Sequence, residues 1–152
     1  MDIVNLQDSD LAPAILEMVE KKVNDDYERE FEIVTALSPG VRMVYATWFL
    51  EAEVANAGFL QYFFNSTGRF ASEALEGYRL IGALQHADTV ERAIKTFDQE
   101  KVTLKTVWEK SGLEESYRLS AMPGLDDIFM GLTEDVDALR NRYIREHLDA
   151  FS

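Results

Sequence analysis

Proline occurs three times in this chain, at Pro13, Pro39 and Pro123, and each stands where a helix could begin. Long stretches are therefore free to stay helical. Val and Ile nowhere alternate with polar residues for long, whereas apolar residues recur at intervals of three and four. The spacing predicts an all-α fold, a compact single-domain bundle of about seven to nine helices over residues 1–152.

The first helix is expected over about 11–24, capped by Ser9 or Asp10, with Pro13 in its first turn and Ile15, Met18, Val19 and Val23 facing inward. A shorter one covers about 27–37. Ser38-Pro39 reads as a cap followed by the first helical position. The helix that follows, about 39–55, is the central one, with Val41, Val44, Tyr45, Trp48, Ala52 and Ala55 on its inner face. Gly58 is expected to break it, and Asn65-Ser66-Thr67-Gly68 is a turn signal. Further helices are expected over about 70–84, 89–97 and 98–111, a short one ending at Met130, and a last one over about 133–150 with Thr133 as its cap.

Several functions are excluded early. The absence of cysteine removes disulfides, thiolate metal sites and thiol nucleophiles. The start, Met1-Asp2-Ile3-Val4, has neither the basic nor the apolar run of a signal peptide, and no apolar stretch is long enough to cross a membrane. A cytoplasmic protein is expected, with no membrane association. The histidines, His86 in an inter-helix turn and His147 at the edge of the core, form no helical metal pair. There is no glycine-rich phosphate loop and no Gly-x-Ser-x-Gly elbow. No cofactor, metal site or catalytic residue is expected.

Charge is the second strong signal. The chain holds 28 acids and 15 bases, a formal net charge of −13. Such a surface repels nucleic acid and suits a basic protein partner. The acids gather at the ends: residues 1–32 carry ten acids and three bases, and residues 121–152 carry seven and three. Acids three or four apart on a helix lie roughly 5–6 Å apart, close to the spacing of phosphates along a strand. Asp25, Asp26, Glu28, Glu30 and Glu32, with Glu134, Asp135 and Asp137, are the candidate partner-binding residues. The same pattern also describes an ordinary solvated helix face.

The segment Glu53-Val54-Ala55-Asn56-Ala57-Gly58-Phe59-Leu60-Gln61-Tyr62-Phe63-Phe64-Asn65-Ser66-Thr67-Gly68 interleaves rings and amides as a plain surface helix does not. Glu51 lies at the edge of the core face, and Asn56, Gln61 and Asn65 could supply donors to it. Capping and support of the break at Gly58 is one reading of this cluster, with Gln61 and Asn65 as buried amides. A small-ligand or catalytic site is the alternative.

The segment, followed by Ile81-Gly82-Ala83, resembles a bacterial family of all-helical proteins that includes the neisserial DNA-mimic protein nineteen. Glu53, Val54, Asn56, Gly58, Phe59, Gln61, Tyr62, Phe63, Asn65, Ser66 and Gly68 match the family pattern. Ala55 and Ala57 depart from it, where the pattern has Asn and Gly. The resemblance extends over about residues 35–152. It implies a helical, acidic protein, with a homodimer as a further expectation, whose surface carboxylates imitate duplex DNA on the DNA-binding face of a transcription factor. The motif itself then serves the fold. The competing readings are an enzyme or ligand binder at Glu51 and a purely structural acidic domain.

Overall fold

Ser38 and Pro39 fix the start of the helix on which the others pack. In the computed structural model, which describes residues 2–152, the Ser38 hydroxyl accepts from the Val41 amide at 3.4 Å and Pro39 occupies the first turn. Seven α-helices follow one another among the described residues: α1 (Asp8–Val23), α2 (Glu30–Thr35), α3 (Pro39–Phe64), α4 (Ala71–Ile81), α5 (Leu84–Leu119), α6 (Met122–Met130) and α7 (Val136–Glu146). Short 3-10 turns occupy Ile3–Asn5, Ser66–Phe70 and Leu148–Phe151. No strand occurs among the described residues, and no helix among them is long and apolar enough to cross a membrane.

α3 is the axis. It packs against α1, α4, α5, α6 and α7 and against two of the 3-10 turns. Met43, Val44, Thr47, Leu50 and Val54 run down its buried side. Val41 and Tyr45 are buried too, but Trp48 is only half-buried and Ala52 and Ala55 are exposed. The inner face predicted from spacing therefore holds only at the start of the helix, and the buried stripe continues through Leu50 and Val54.

Other boundaries shift for identifiable reasons. α1 starts at Asp8, so Ser9 and Asp10 lie inside it and Pro13 sits in its second turn. Pro13 is tolerated there because its missing amide frees one carbonyl without ending the helix. The pieces expected over 89–97 and 98–111 form one continuous helix, because no breaker separates them. α7 is capped by Asp135, whose side chain accepts from the Ala138 amide at 3.0 Å, and not by Thr133. His147 is exposed, ends α7, and stacks on Tyr143 with ring centroids 4.1 Å apart.

Two glycines interrupt helices. Gly58 has φ 85° and ψ 169° inside α3, and Gly112 has φ 82° and ψ −172° inside α5. Both conformations disfavour an L side chain. They differ in surroundings. A Cβ at Gly58 would lie 2.5 Å from Asp126 Oδ2 and 2.8 Å from the Tyr117 hydroxyl, whereas a Cβ at Gly112 would meet nothing within 4 Å. We expect Gly58→Ala to cost about 3 kcal/mol and Gly112→Ala about 1 kcal/mol in denaturant unfolding, strain alone acting at the second site. Equal losses would show that crowding at Gly58 is unimportant.

Candidate partner-binding site

The acidic run after α1 is a turn before it is a helix. Asn24 (φ 49°, ψ 50°) closes α1 in the left-handed conformation, and Asp25 follows at φ 62°. Helical order resumes only at Glu30. Asp25, Asp26 and Glu28 therefore do not form the helical row that their spacing suggested. All three are exposed, as is Glu32, which pairs with Arg29 at 3.2 Å.

Glu30 departs from its neighbours. It shares the inner side of α2 with Val34, one turn on, and is 9% exposed. Its carboxylate accepts the Tyr45 hydroxyl and faces Arg69 at 3.4 Å. It is an internal group and is not part of the surface set expected from sequence.

Glu134 is likewise withdrawn. Its Oε1 accepts the His86 amide at 2.6 Å and lies 2.7 Å from His86 Nδ1. α5 has no side-chain cap of its own, so Glu134 supplies a carboxylate to that helix's positive end from 48 residues away. Burial works to raise the Glu134 pKa, but the His86 and Gln85 amides and the His86 ring outweigh it and hold the carboxyl below its ordinary range. Asp135 and Asp137 stay exposed, and Asp137 reaches Arg140 at 2.9 Å.

Glu51 finds partners other than the amides proposed for it. It accepts from the Tyr78 hydroxyl at 2.9 Å and pairs with Arg140. Arg140 is 1% exposed and also reaches the Thr47 hydroxyl at 3.1 Å. Burial pushes the Glu51 carboxyl up, against the pull of Arg140 and Tyr78. A cavity of about 340 Å³ lies beside this pair, lined also by His86, Phe129 and Glu134. Asn56 is exposed, Gln61 is half-buried, and Asn65 is exposed and donates to Glu53 at 3.2 Å. The cluster expected around Glu51 is thus not assembled, and Asn65 is not a buried amide. Among the described residues no three metal-ligating side chains converge.

The motif does its work at the break. At the break at Gly58 the Ala57 carbonyl and the Phe59 amide are both answered from a distance. The Tyr117 hydroxyl donates to the Ala57 carbonyl, and Asp126 Oδ1 accepts the Phe59 amide at 2.8 Å. Phe59 then packs edge-on against Phe129 of α6 at 5.2 Å, and Phe63 stacks on Phe97 of α5 at 4.6 Å. Tyr62 is buried. Gly68, after Ser66 in the next turn, passes so close to α3 that a Cβ would lie 2.6 Å from the Tyr62 carbonyl. Tyr78, Tyr117, Asp126 and Arg140 were not singled out from sequence as structural partners. Each bonds α3 across dozens of residues, and local patterning carries no signal of that.

The DMP19-like protein family model matches residues 35–147. No curated protein and no solved structure matches the chain.

Two outcomes follow from this geometry. Arg140→Met leaves the half-buried Glu51 without its cation and should cost about 3 kcal/mol in chemical unfolding, with part of the loss recovered by adding Glu51→Gln. A double variant no better than the single would mean that Arg140 acts by packing. Glu134, held low in the folded state, contributes stability that is present above the ordinary carboxylate range and lost as pH falls through its folded value. Glu134→Gln should therefore be less stable than the parent near neutrality, with the gap closing below about pH 4.3. Thermal melts across that range read it directly, and a gap independent of pH would rule out a charge effect.

Proposed function

Because the chain belongs to the DMP19-like protein family, we propose that it acts as a non-enzymatic DNA mimic, whose exposed carboxylates occupy the DNA-binding face of a basic protein such as a transcription factor. The observation that carries this reading is the turn between α1 and α2. Asp25, Asp26 and Glu28 are exposed there, and no ion pair to them occurs among the described residues. Exposed acids without counter-charges present a negative field to a partner. Asp135 and Asp137, and Glu32 beside Arg29, add to the exposed set. Glu30 and Glu134 have internal roles and do not belong to it.

The protein itself binds no DNA under this reading, since its net charge of −13 repels phosphate. A partner that reads the genome also places it in the cytoplasm. The partner is to be captured from native host cells by pull-down at low and high salt. Association should weaken steeply with salt, since exposed charges are screened within about 10 Å at 0.1 M.

Competition decides the matter: duplex DNA added to the complex should displace this protein from the partner. Binding of both together without interference would end the mimic reading. Asp25→Asn, Asp26→Asn and Glu28→Gln together should slow association about tenfold while leaving the melting temperature nearly unchanged, since Asn accepts both the left-handed backbone at position 25 and the Arg29 amide at position 26.

A further inference from the structure

α3, the start of α5, the end of α6 and the start of α7 border the cavity of about 340 Å³ beside Glu51 and His86. That volume lies within the range of roughly 300–1,000 Å³ typical of small-ligand pockets. One buried ring sets its character. His86 is 8% exposed and lines the cavity. Its Nδ1 lies 2.7 Å from Glu134 Oε1, and the Tyr78 and Phe129 rings hold it from two sides with centroids 5.3 and 5.1 Å away. With Nδ1–H donated to that carboxylate, a neutral imidazole keeps Nε2 as an acceptor. Nε2 has no hydrogen-bond partner among the described residues. Nor is it sealed in the interior: the enclosed side-chain atoms without a partner are Tyr62 Oη, Thr67 Oγ1, Glu73 Oε2 and Arg140 Nε. What surface the ring retains opens on the cavity that it lines.

Glu51 offers a second acceptor from the other end of Tyr78. Its Oε2 takes both the Tyr78 hydroxyl and Arg140, so Oε1 has no partner among the described residues, and it too is not enclosed. The Tyr78 hydroxyl meets Glu51 while its ring meets His86, so the two acceptors flank one buried side chain. Four carboxylates line the cavity, Glu51, Glu134, Asp135 and Asp137, and no basic side chain does so among the described residues. Arg140 pairs with Glu51 and Asp137 from behind the lining, and one guanidinium against four carboxylates leaves the cavity negative. The rest of the wall is apolar and includes Phe129, Leu132 and Val136.

A molecule that displaces water from His86 Nε2 and Glu51 Oε1 must bring N–H or O–H donors in its place. An anion is repelled by the lining. A bare metal ion is poorly served, since no three ligating side chains converge among the described residues. A primary ammonium carries three donors and a positive charge, and an apolar stem on it suits the remaining wall. We infer that this cavity binds a primary amine with an apolar body, its ammonium donating to His86 Nε2 and Glu51 Oε1 and its body lying against Phe129, Leu132 and Val136. The group can come from a free amine or from a Lys side chain of a bound protein. The inference does not rest on the mimic reading: no residue of the α1–α2 turn lines this cavity, and Asp135 and Asp137 stay unchanged in its test.

Calorimetric titration at about pH 8, where free imidazole is neutral and a primary amine is charged, tests it with phenethylamine, the isosteric phenethyl alcohol and the anion phenylpropionate. Saturable one-to-one binding is expected for the amine, about tenfold weaker binding for the alcohol, and none for the anion. Proton–nitrogen spectra of the imidazole side chains read the site in the unaltered protein, whose only histidines are His86 and His147. The His86 Nε2 resonance should move along the calorimetric saturation curve while those of His147 stay in place. Ala55 is exposed and lines the cavity, so Ala55→Trp should obstruct it and weaken binding about tenfold with the melting temperature nearly unchanged. Thr103→Trp, at an exposed position of α5 outside the lining, should leave binding as it was. His86→Phe keeps a ring but removes the acceptor and should weaken binding about tenfold, its melting temperature checking that it folds. Equal binding of the amine and either comparison compound overturns the inference. So does a His86 resonance that stays in place at saturation, equal weakening by the two tryptophans, or no saturable binding at all. If the site holds, phenethylamine binding more tightly than α-acetyl-lysine amide identifies a free amine as the source, and the reverse order identifies a protein side chain.

Discussion

One opened turn at Gly58 governs how this bundle is assembled. A straight α3 would carry Phe59 and Phe63 in a different direction, away from the rings they meet on α6 and α5. The backbone groups released by the break cannot be left unpaired in the interior. Asp126 and Tyr117 answer them, and in doing so fix α6 and the end of α5 against α3. The family motif is therefore a joint. Its rings set the packing, and its glycines permit the joint and the close approach at Gly68.

The carboxylates divide into two populations with different tasks. One population serves helix ends and guanidinium groups. Asp126 takes the amide that follows the break, Glu134 takes the start of α5, and Glu100 holds the start of α6 through Ser120 and the Ala121 amide, at 2.7 and 2.9 Å. Glu51 and Glu30 face Arg140 and Arg69. Helix N-termini and guanidinium groups, Arg140 buried and Arg69 exposed, are where a negative charge stabilises this helical protein. The other population, including Asp25 and Glu28, performs none of these duties, while Asp26 accepts only the Arg29 amide ahead of α2, at 3.3 Å. Composition alone cannot separate the two, since both add equally to the net charge.

The helices were legible because their signals are local. Ser38-Pro39 announced α3, and the spacing of Ile15, Val19 and Val23 gave the inner side of α1. Gly58 was expected to break α3 and does. The site was much less legible. Glu30 and Glu134 sit in acidic surroundings and read as surface groups, yet the partners that bury them, Tyr45, Arg69 and His86, lie 15 to 48 residues away. Asn24 offered the missing clue to the acidic turn, because Asn tolerates the left-handed conformation that ends a helix. Arg140 could not be foreseen as interior from its own neighbourhood, where it looks like one of several basic residues on the last helix.

The partners of the Gly58 joint lie far along the chain. Tyr117 and Asp126 stand 60 and 67 residues beyond the groups they bind, and Arg140 stands 89 beyond Glu51. Synthesis runs from the N-terminus, so α3 leaves the ribosome complete while its broken turn still has only water to bond. α1, α2 and α4 can gather on it at that stage, but the joint cannot set until α6 has emerged. The C-terminal third is thus the part that locks the nascent bundle, and a chain cut short before Asp126 would hold its central helix without the angle that positions the rest.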